Sequence, residues 1–196
     1  MNVQVKGSNG ITLVPIETRL MASRKIFIEG DINSEAAISF FKRVMFLNED
    51  NQQEAIKIFI NSSGGEINSG MLMYDVIQAS KAPIKMFCIG QAYSMAALLF
   101  ACGPYGDRYI LPHSKLMLHE PLLGNNVGGS SSSIRSVADS LMETRKHINS
   151  LLVKHTKQTE KAVEKATSFD HYFNPQEAVD FGLCDKIISF DKIMED

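Results

Sequence analysis

Short continuous apolar runs alternate along the first half of the chain with segments in which apolar residues recur every three or four positions. The runs, which are typical of buried strands, lie at 24–29, 56–60 and 84–89. The recurring segments, which are typical of helices, lie at 33–48, 67–80 and 96–101. A strand followed each time by a helix predicts an α/β fold with a wound, crossover-connected sheet.

The first predicted helix carries a broad apolar stripe, and Asn33 or Ser34 is placed to cap it. The stripe comprises Ala37, Ile38, Phe41, Val44 and Met45, with Asn48 as a polar exception. We expect these apolar side chains to face the core.

Residues 1–18 are mixed in character and carry Gly7, Gly10 and Pro15. Glycine and proline interrupt regular structure, so this stretch predicts a mobile N-terminal arm that ends in a short extended piece.

The second half of the chain contains a long helical pattern between shorter elements. Short strands are predicted at 107–111 and 115–118, and helices at 159–166 and 175–181, before a last strand at 186–188. Residues 122–133 are rich in Gly, Asn and Ser, which predicts a flexible or strand-edge segment. The long helix, 133–155, carries one apolar stripe that Arg145 interrupts, made of Ile134, Val137, Ala138, Leu141, Met142, Ile148, Leu151 and Leu152. The helix would span ~33 Å at ~1.5 Å per residue. Because that exceeds what a domain this small can cover, we expect the helix to project and to pack on another copy.

Composition narrows the class of protein. The 196 residues are 44% hydrophobic and 21% charged, without an internal repeat or linker, which indicates one α/β domain over 1–196. A net charge of -2 and the lack of a basic stripe argue against nucleic acid as a partner. No secretory signal pattern and no apolar run of roughly 18 residues is present, so we expect a cytoplasmic protein without a membrane span. Cys88 and Cys102 lie in apolar runs and are expected to be buried thiols.

A candidate nucleophile lies where the third strand meets its helix, in the sequence Gly-Gln-Ala-Tyr-Ser-Met-Ala at 90–96. Ser94 stands at the joint, where the first helical N–H groups lack partners within the helix and could stabilise an oxyanion. The alternative is that Ser94 only caps the helix. The stretch does not match the G-x-S-x-G motif of serine hydrolases, so that motif adds no support.

Two other strand ends carry candidate functional residues. Gly64 and Gly65 follow the second strand and could form an anion cradle, although glycine pairs more often only make turns. His119 follows the strand at 115–118, and strand ends are the usual position of functional groups in a wound sheet. A structural histidine is the alternative at this position.

Several motifs in combination resemble the family of proteolytic subunits of the bacterial Clp protease, the ClpP family. They are Asn-Ser-Ser-Gly-Gly at 61–65, the serine segment at 90–96, Leu-Pro-His-Ser at 111–114, Met-Leu-His-Glu-Pro at 117–121, Asp170, and Glu-Ala-Val-Asp-Phe-Gly-Leu at 177–183. The resemblance runs from about residue 19 to residue 188 without large gaps. It implies a crotonase-like subunit with a wound β-sheet, flanking helices and a projecting handle helix at 133–155.

The resemblance also implies a catalytic set. Ser94 matches the family nucleophile, His119 its general base and Asp170 its orienting acid. The backbone N–H groups of Gly65 and Met95 match the oxyanion hole. Four other aspartates remain alternative partners of the histidine: Asp31, Asp75, Asp107 and Asp139. A surface carboxylate without a catalytic role remains the alternative for Asp170.

Assembly and partners follow from the same resemblance. It implies seven-membered rings that stack as a tetradecamer, with residues 1–18 gating the axial opening and an AAA+ Clp unfoldase supplying unfolded polypeptides. Substrate would lie along an edge strand by β-augmentation, contacting Ile67, Leu122, Leu123 and Gly124. The chain has no Walker A motif, so ATP would be used by the partner ATPase, and neither a cofactor nor a metal is expected.

The chain departs from the family pattern at five positions. Ser63 replaces the proline before the glycine pair, and Leu123 replaces the first glycine after Pro-Leu. Lys57 and Ala79 stand where aromatic residues face the ATPase, and Phe169 replaces an arginine that contributes to ring–ring contacts. These departures predict a copy that is not self-sufficient and pairs with a second ClpP paralogue or contacts its ATPase differently.

Three interpretations therefore stand after the sequence alone. The first is an ATPase-partnered serine endopeptidase. The second is a weakly active, structural or regulatory paralogue in a mixed complex. The third is a crotonase-type acyl-CoA enzyme, which shares the fold but does not need a Ser-His-Asp set.

Overall fold

The computed structural model describes residues 1–7, 10–124 and 128–195. The strands are β1 (Asn2–Gly7), β2 (Gly10–Pro15), β3 (Lys25–Ile32), β4 (Ile56–Gly65), β5 (Ile84–Tyr93), β6 (Arg108–Ile110), β7 (Lys115–Leu118), β8 (His171–Phe173) and β9 (Lys186–Ile187). The helices are α1 (Ile16–Ala22), α2 (Ser34–Asp50), α3 (Ile67–Ala79), α4 (Met95–Ala101), α5 (Ser131–Thr156), α6 (Glu160–Thr167), α7 (Pro175–Phe181) and α8 (Phe190–Glu195).

The central sheet is mostly parallel and divides along β5. Strands β3, β4, β5, β6 and β9 are neighbours in that order, whereas β7 pairs with β5 and, antiparallel, with β8. The first part of β5 pairs with β6 through Met86–Cys88, and its last three residues pair with β7. This confirms the predicted α/β fold.

The main core lies between the sheet and the helices, and α4 is at its centre. Every residue from Met95 to Ala101 is buried. The stripe expected on α2 is wrong in part, because the helix buries Ala37, Phe40, Val44 and Leu47 and leaves Ile38, Phe41 and Met45 exposed. The sequence of α2 carries apolar residues on two sides, and periodicity alone does not say which side meets the sheet.

The opposite side of the sheet carries a ladder of aromatic rings. Phe27, Phe59, Phe87 and Tyr109 stack in register across β3, β4, β5 and β6, with centroids 5.0, 4.9 and 5.1 Å apart. Ile193 of α8 is buried against this ladder. The sequence pattern did not predict α8, whose six residues are too few to show a period.

The N-terminal segment contains more regular structure than expected. β1 and β2 form an antiparallel hairpin, and α1 begins at Ile16, inside the predicted arm of residues 1–18. The alternation of apolar and polar residues from Val3 to Lys6, which is typical of a strand, is the signal that the glycines obscured.

The long helix α5 begins two residues before the predicted start and ends one residue after the predicted end. Its buried residues, Asn149, Leu152, His155 and Thr156, all lie in its last two turns. Ile148 is partly buried against the core, whereas residues 131–143 are mostly exposed. None of the helices in the described ranges is long and apolar enough to span a membrane.

A buried arginine donates hydrogen bonds to the C-terminal ends of three helices. Nη1 of Arg108 donates to the carbonyl oxygens of Ala101, His155 and Gly182, each at 3.0 Å, at the ends of α4, α5 and α7. Its other nitrogens donate to Asp185. Burial is the largest single influence on the pKa of that carboxyl and raises it, but the hydrogen bonds and charge of Arg108, together with the Gly106 N–H, lower it overall. The carboxylate therefore stays charged and the guanidinium stays paired.

The thiols are buried, which confirms the expectation for Cys88 and Cys102. Cys184 is buried as well, and all three are free. Burial raises the pKa of each thiol to about 12. Neutral, inaccessible thiols are poor nucleophiles, so these cysteines contribute packing.

Candidate active site

Ser94 has a backbone conformation that a helix cap does not need. It lies between β5 and α4 with φ 55° and ψ -122°, and its side chain makes no capping hydrogen bond. Its N–H instead donates to the carbonyl of Met117 at 2.8 Å. A positive φ in a residue with a Cβ costs of order 1–3 kcal/mol and persists where the surrounding structure enforces it. The geometry therefore argues against the capping alternative and favours a presented hydroxyl.

His119 lies beside that hydroxyl. It follows the last residue of β7, as expected, and its Nε2 is 2.7 Å from Oγ of Ser94. The side chain is 18% exposed, so the imidazole is partly shielded from solvent. The structural alternative for this histidine does not explain why its nitrogen meets a serine held in a strained conformation.

Asp170 completes the line of side chains. Its Oδ1 is 3.2 Å from Nδ1 of His119, although the carboxylate is 60% exposed. Two of the alternative aspartates have other partners, because Asp31 accepts from the Ser63 hydroxyl and Asp107 from the Tyr109 hydroxyl. Of the five candidate aspartates, all of them among the described residues, Asp170 is the one whose carboxylate contacts the imidazole.

Strand register brings these three positions together. In the sheet, Tyr93 pairs with Met117 and Met117 pairs with Tyr172, so the segments before Ser94, before His119 and after Asp170 lie side by side. The Tyr93 and Tyr172 rings also meet edge to face, with centroids 5.6 Å apart. Strand β8 was not predicted, because three residues carry no recognisable period.

The glycine pair approaches the serine closely. Gly64 has φ 96°, and a Cβ there would lie 2.7 Å from the Tyr93 carbonyl oxygen and 2.9 Å from Cβ of Ser94. A Cβ on Gly65 would collide with the carbonyl oxygen of Ile32. Only glycine fits at both positions, so the loop is built to bring its backbone next to the hydroxyl.

Two serine hydroxyls hold the same loop. Oγ of Ser62 donates to the Gly30 carbonyl at 2.6 Å and accepts from the Gly64 N–H at 3.1 Å. Oγ of Ser63, at the position where the family resemblance calls for proline, donates to Asp31 at 3.0 Å. A side-chain hydrogen bond to the neighbouring strand therefore restrains this turn where a proline ring would otherwise do so.

A cleft of about 270 Å³ opens beside Ser94 and His119. Besides Ser94 and His119, four predicted site residues line it: Gly65, Ile67, Met95 and Leu122. Leu123 and Gly124 are exposed, belong to no strand and do not line the cleft, while the rest of that loop, 125–127, is outside the described residues. Ile148 and Leu152 of α5 also line it. The sequence did not place these two side chains at the cleft, because the apolar stripe of the long helix was interpreted as a surface that packs on another copy.

A larger cleft of about 460 Å³ lies elsewhere, near the ends of α3, α4 and α5. His155 borders it, but this imidazole is buried and its Nε2 is 2.9 Å from the Tyr74 hydroxyl. Burial, and then the charges of Lys154 and Arg108, lower the pKa of His155 to about 4. It is therefore a neutral, hydrogen-bonded core histidine.

The arrangement beside the smaller cleft can perform acyl transfer. An imidazole within hydrogen-bond reach of a hydroxyl can accept its proton, and a carboxylate on the other ring nitrogen stabilises the imidazolium that forms. Within the described ranges no group of His, Cys, Asp and Glu residues is arranged to hold a metal ion.

A family model described as Clp protease matches residues 8–191. The match covers nearly the whole chain and includes every residue of the candidate site.

Proposed function

This chain belongs to the Clp protease family, and we propose that it is a serine endopeptidase subunit that cleaves unfolded polypeptides. In this proposal Ser94 is the nucleophile, His119 the general base and Asp170 the carboxylate that orients the imidazole. The N–H groups of Gly65 and Met95 form the oxyanion hole.

The proposed reaction has two halves. Oγ of Ser94 attacks the scissile carbonyl while Nε2 of His119 takes its proton, and the oxyanion accepts hydrogen bonds from the two backbone N–H groups. The imidazolium then protonates the leaving amine, the C–N bond breaks and an acyl-enzyme remains. Water, deprotonated by His119, hydrolyses the ester and restores the Ser94 hydroxyl.

One observation carries the proposal: Oγ of Ser94 lies 2.7 Å from Nε2 of His119 while the Ser94 backbone has φ 55°. A capping serine has neither feature. An acyl-CoA enzyme of crotonase type does not need a serine–histidine pair, so the geometry favours peptide hydrolysis over that third interpretation.

The cleft supports a peptide substrate. Apolar side chains, among them Ile67, Met95 and Leu122, line it next to the hydroxyl. We propose that the backbone at 122–124 holds the substrate by β-augmentation, with Leu123 and Gly124 contributing main-chain rather than side-chain contacts. ATP would be consumed by a separate AAA+ Clp unfoldase, and the subunit itself would use no cofactor.

We further propose assembly into heptameric rings stacked as a tetradecamer in the cytoplasm. The mostly exposed residues 131–143 of α5 support ring–ring packing. The exposed side chains of Ile38, Phe41, Met45 and Phe46 on α2 support contacts within a ring, because a monomer seldom leaves such an apolar row uncovered.

The test is reaction with a serine-directed fluorophosphonate, followed by mass-spectrometric mapping of the adduct. We expect one adduct on Ser94 in the wild type, none in Ser94→Ala and a strongly slowed reaction in His119→Ala. Labelling of another serine, or labelling of Ser94 that is unaffected in His119→Ala, would contradict the proposal.

A second candidate function is that of a structural or regulatory paralogue in a mixed complex. Phe169, next to Asp170, is 84% exposed, and the carboxylate itself is 60% exposed. An apolar side chain at that position leaves the acid without a cationic neighbour from its own loop. If the chain stays unlabelled both alone and after a second proteolytic subunit or the ATPase is added, this candidate is favoured. Labelling of Ser94 that appears only with the added partner would instead indicate an endopeptidase subunit that the partner activates.

A further inference from the structure

An ion pair connects the residue after His119 with the long helix. Nη1 of Arg145 on α5 lies 3.1 Å from Oε2 of Glu120, and the two side chains are 29% and 41% exposed. The pair therefore lies at the edge of the site, partly shielded from water. It connects the segment that carries the imidazole to an element far away in sequence.

Arg145 belongs to the face of α5 that passes the cleft. Ile148 and Leu152 line the cleft, and they follow Arg145 by three and seven residues, which places all three on one side of the helix. In the sequence, Arg145 interrupts an apolar stripe. Arg145 interrupts the stripe where this face of α5 meets Glu120, the residue that follows His119.

The His119 segment leaves the sheet at this point. Strand β7 ends at Leu118, which pairs with His171, and residues 119–124 belong to no strand or helix. Pro121 lines the cleft just beyond the ion pair. The backbone that carries the imidazole is thus held by β7 on one side and by Glu120 on the other.

We propose that Glu120 and Arg145 are positioning residues that hold His119 in line with Ser94. The inference rests on the proposed function. By joining Glu120 to α5, the ion pair restrains the backbone that directly follows His119.

The experiment measures fluorophosphonate labelling of Ser94 at several probe concentrations, which separates the maximal rate from the half-saturating concentration. The variants are Glu120→Gln, Arg145→Met and the exchange Glu120→Arg with Arg145→Glu. Lys146→Met is the matched control, because it removes a charge from the next residue of the same helix. Thermal unfolding of each variant establishes that it is folded.

We expect each single variant to lower the maximal labelling rate by about fivefold, the upper end for a partly exposed ion pair, without changing the half-saturating concentration. The exchange should restore most of the rate, and Lys146→Met should match the wild type. Raising the salt concentration should slow the wild type and leave Arg145→Met unaffected, because only the former has a pair to screen.

Single variants that label at the wild-type rate, or an exchange that restores nothing, would overturn the inference. A slowed variant with a raised half-saturating concentration would also overturn it, because that result indicates a change in the cleft rather than in the base. If the wild type is not labelled at all, the proposed function fails first, so the two failures are distinguishable.

Discussion

The nucleophile and the acid of the proposed triad lie in contrasting surroundings. Ser94 is followed by seven buried residues of α4 and is held by a strained backbone and a hydrogen bond to Met117. Asp170 precedes β8, a three-residue strand whose neighbour is β7, and is 60% exposed next to an exposed Phe169. Ser94 is therefore held by the core, whereas Asp170 lies exposed beside a short strand.

This difference indicates where activity is open to control. Buried, close-packed segments have few alternative arrangements, whereas short exposed strands open with small free energies. Alignment of Asp170 is therefore the step that a neighbouring subunit can most easily complete or disturb.

The largest difference between Ser94 and Asp170 should appear in kcat when the hydroxyl or the carboxylate is removed. We expect Ser94→Ala to lower kcat by about a million-fold and Asp170→Asn by about ten-thousand-fold, since a serine protease retains more activity without its acid than without its nucleophile. Peptide hydrolysis measured for both variants and the double variant checks this, and the double variant should lose no more than Ser94→Ala. A larger loss in Asp170→Asn than in Ser94→Ala would reverse the comparison.

Acid should lower the stability of the fold through the buried imidazole of His155. Its pKa is lowered to about 4 in the fold and lies at 6.5 otherwise, so the unfolded chain binds a proton first as pH falls. Stability should therefore be full above pH 6.5 and decline by up to about 3 kcal/mol towards pH 4. Urea unfolding at several pH values, compared with His155→Gln, isolates this contribution. Equal acid sensitivity in the two proteins would show that His155 is not the cause.

The glycine loop offers a test with a matched control. Gly64 and Gly106 have φ values of 96° and 91°, but a Cβ at Gly64 meets the Ser94 segment, whereas at Gly106 it meets nothing within 4 Å. We expect Gly106→Ala to cost about 1 kcal/mol of stability through strain alone. Gly64→Ala should cost about 2 kcal/mol and also lower kcat, because the loop must move away from Ser94. Both free energies come from denaturant unfolding, and equal effects on kcat would contradict the proposed close approach.

The smallest effect concerns the edge contact between Tyr93 and Tyr172. An aromatic pair contributes about 1 kcal/mol beyond its buried area, so Tyr172→Leu should lower kcat several-fold and stability slightly. Tyr172→Phe keeps the ring and serves as the control. If Tyr172→Leu loses stability but keeps its kcat, the contact supports the fold and does not align Asp170.

The contrast also explains what could be predicted from sequence. Ser94 was marked by a strand–helix joint and His119 by a strand end, because both lie beside long apolar elements with a clear period. Asp170 was found only through the family resemblance, since β8 is too short for any pattern. The buried side of α2 and the pairing of Glu120 with Arg145 depend on packing between elements distant in sequence, which periodicity does not report.

The most direct test of the central claim is to trap the acyl-enzyme. A short apolar peptide ester, mixed with the purified chain and quenched in acid, should leave an acyl group on Ser94 that intact mass and peptide mapping detect. We expect that adduct in the wild type, none in Ser94→Ala and far slower formation in His119→Ala. Ester hydrolysis at the wild-type rate in Ser94→Ala, or an acyl group on another residue, would contradict the claim that Ser94, His119 and Asp170 act as a catalytic triad.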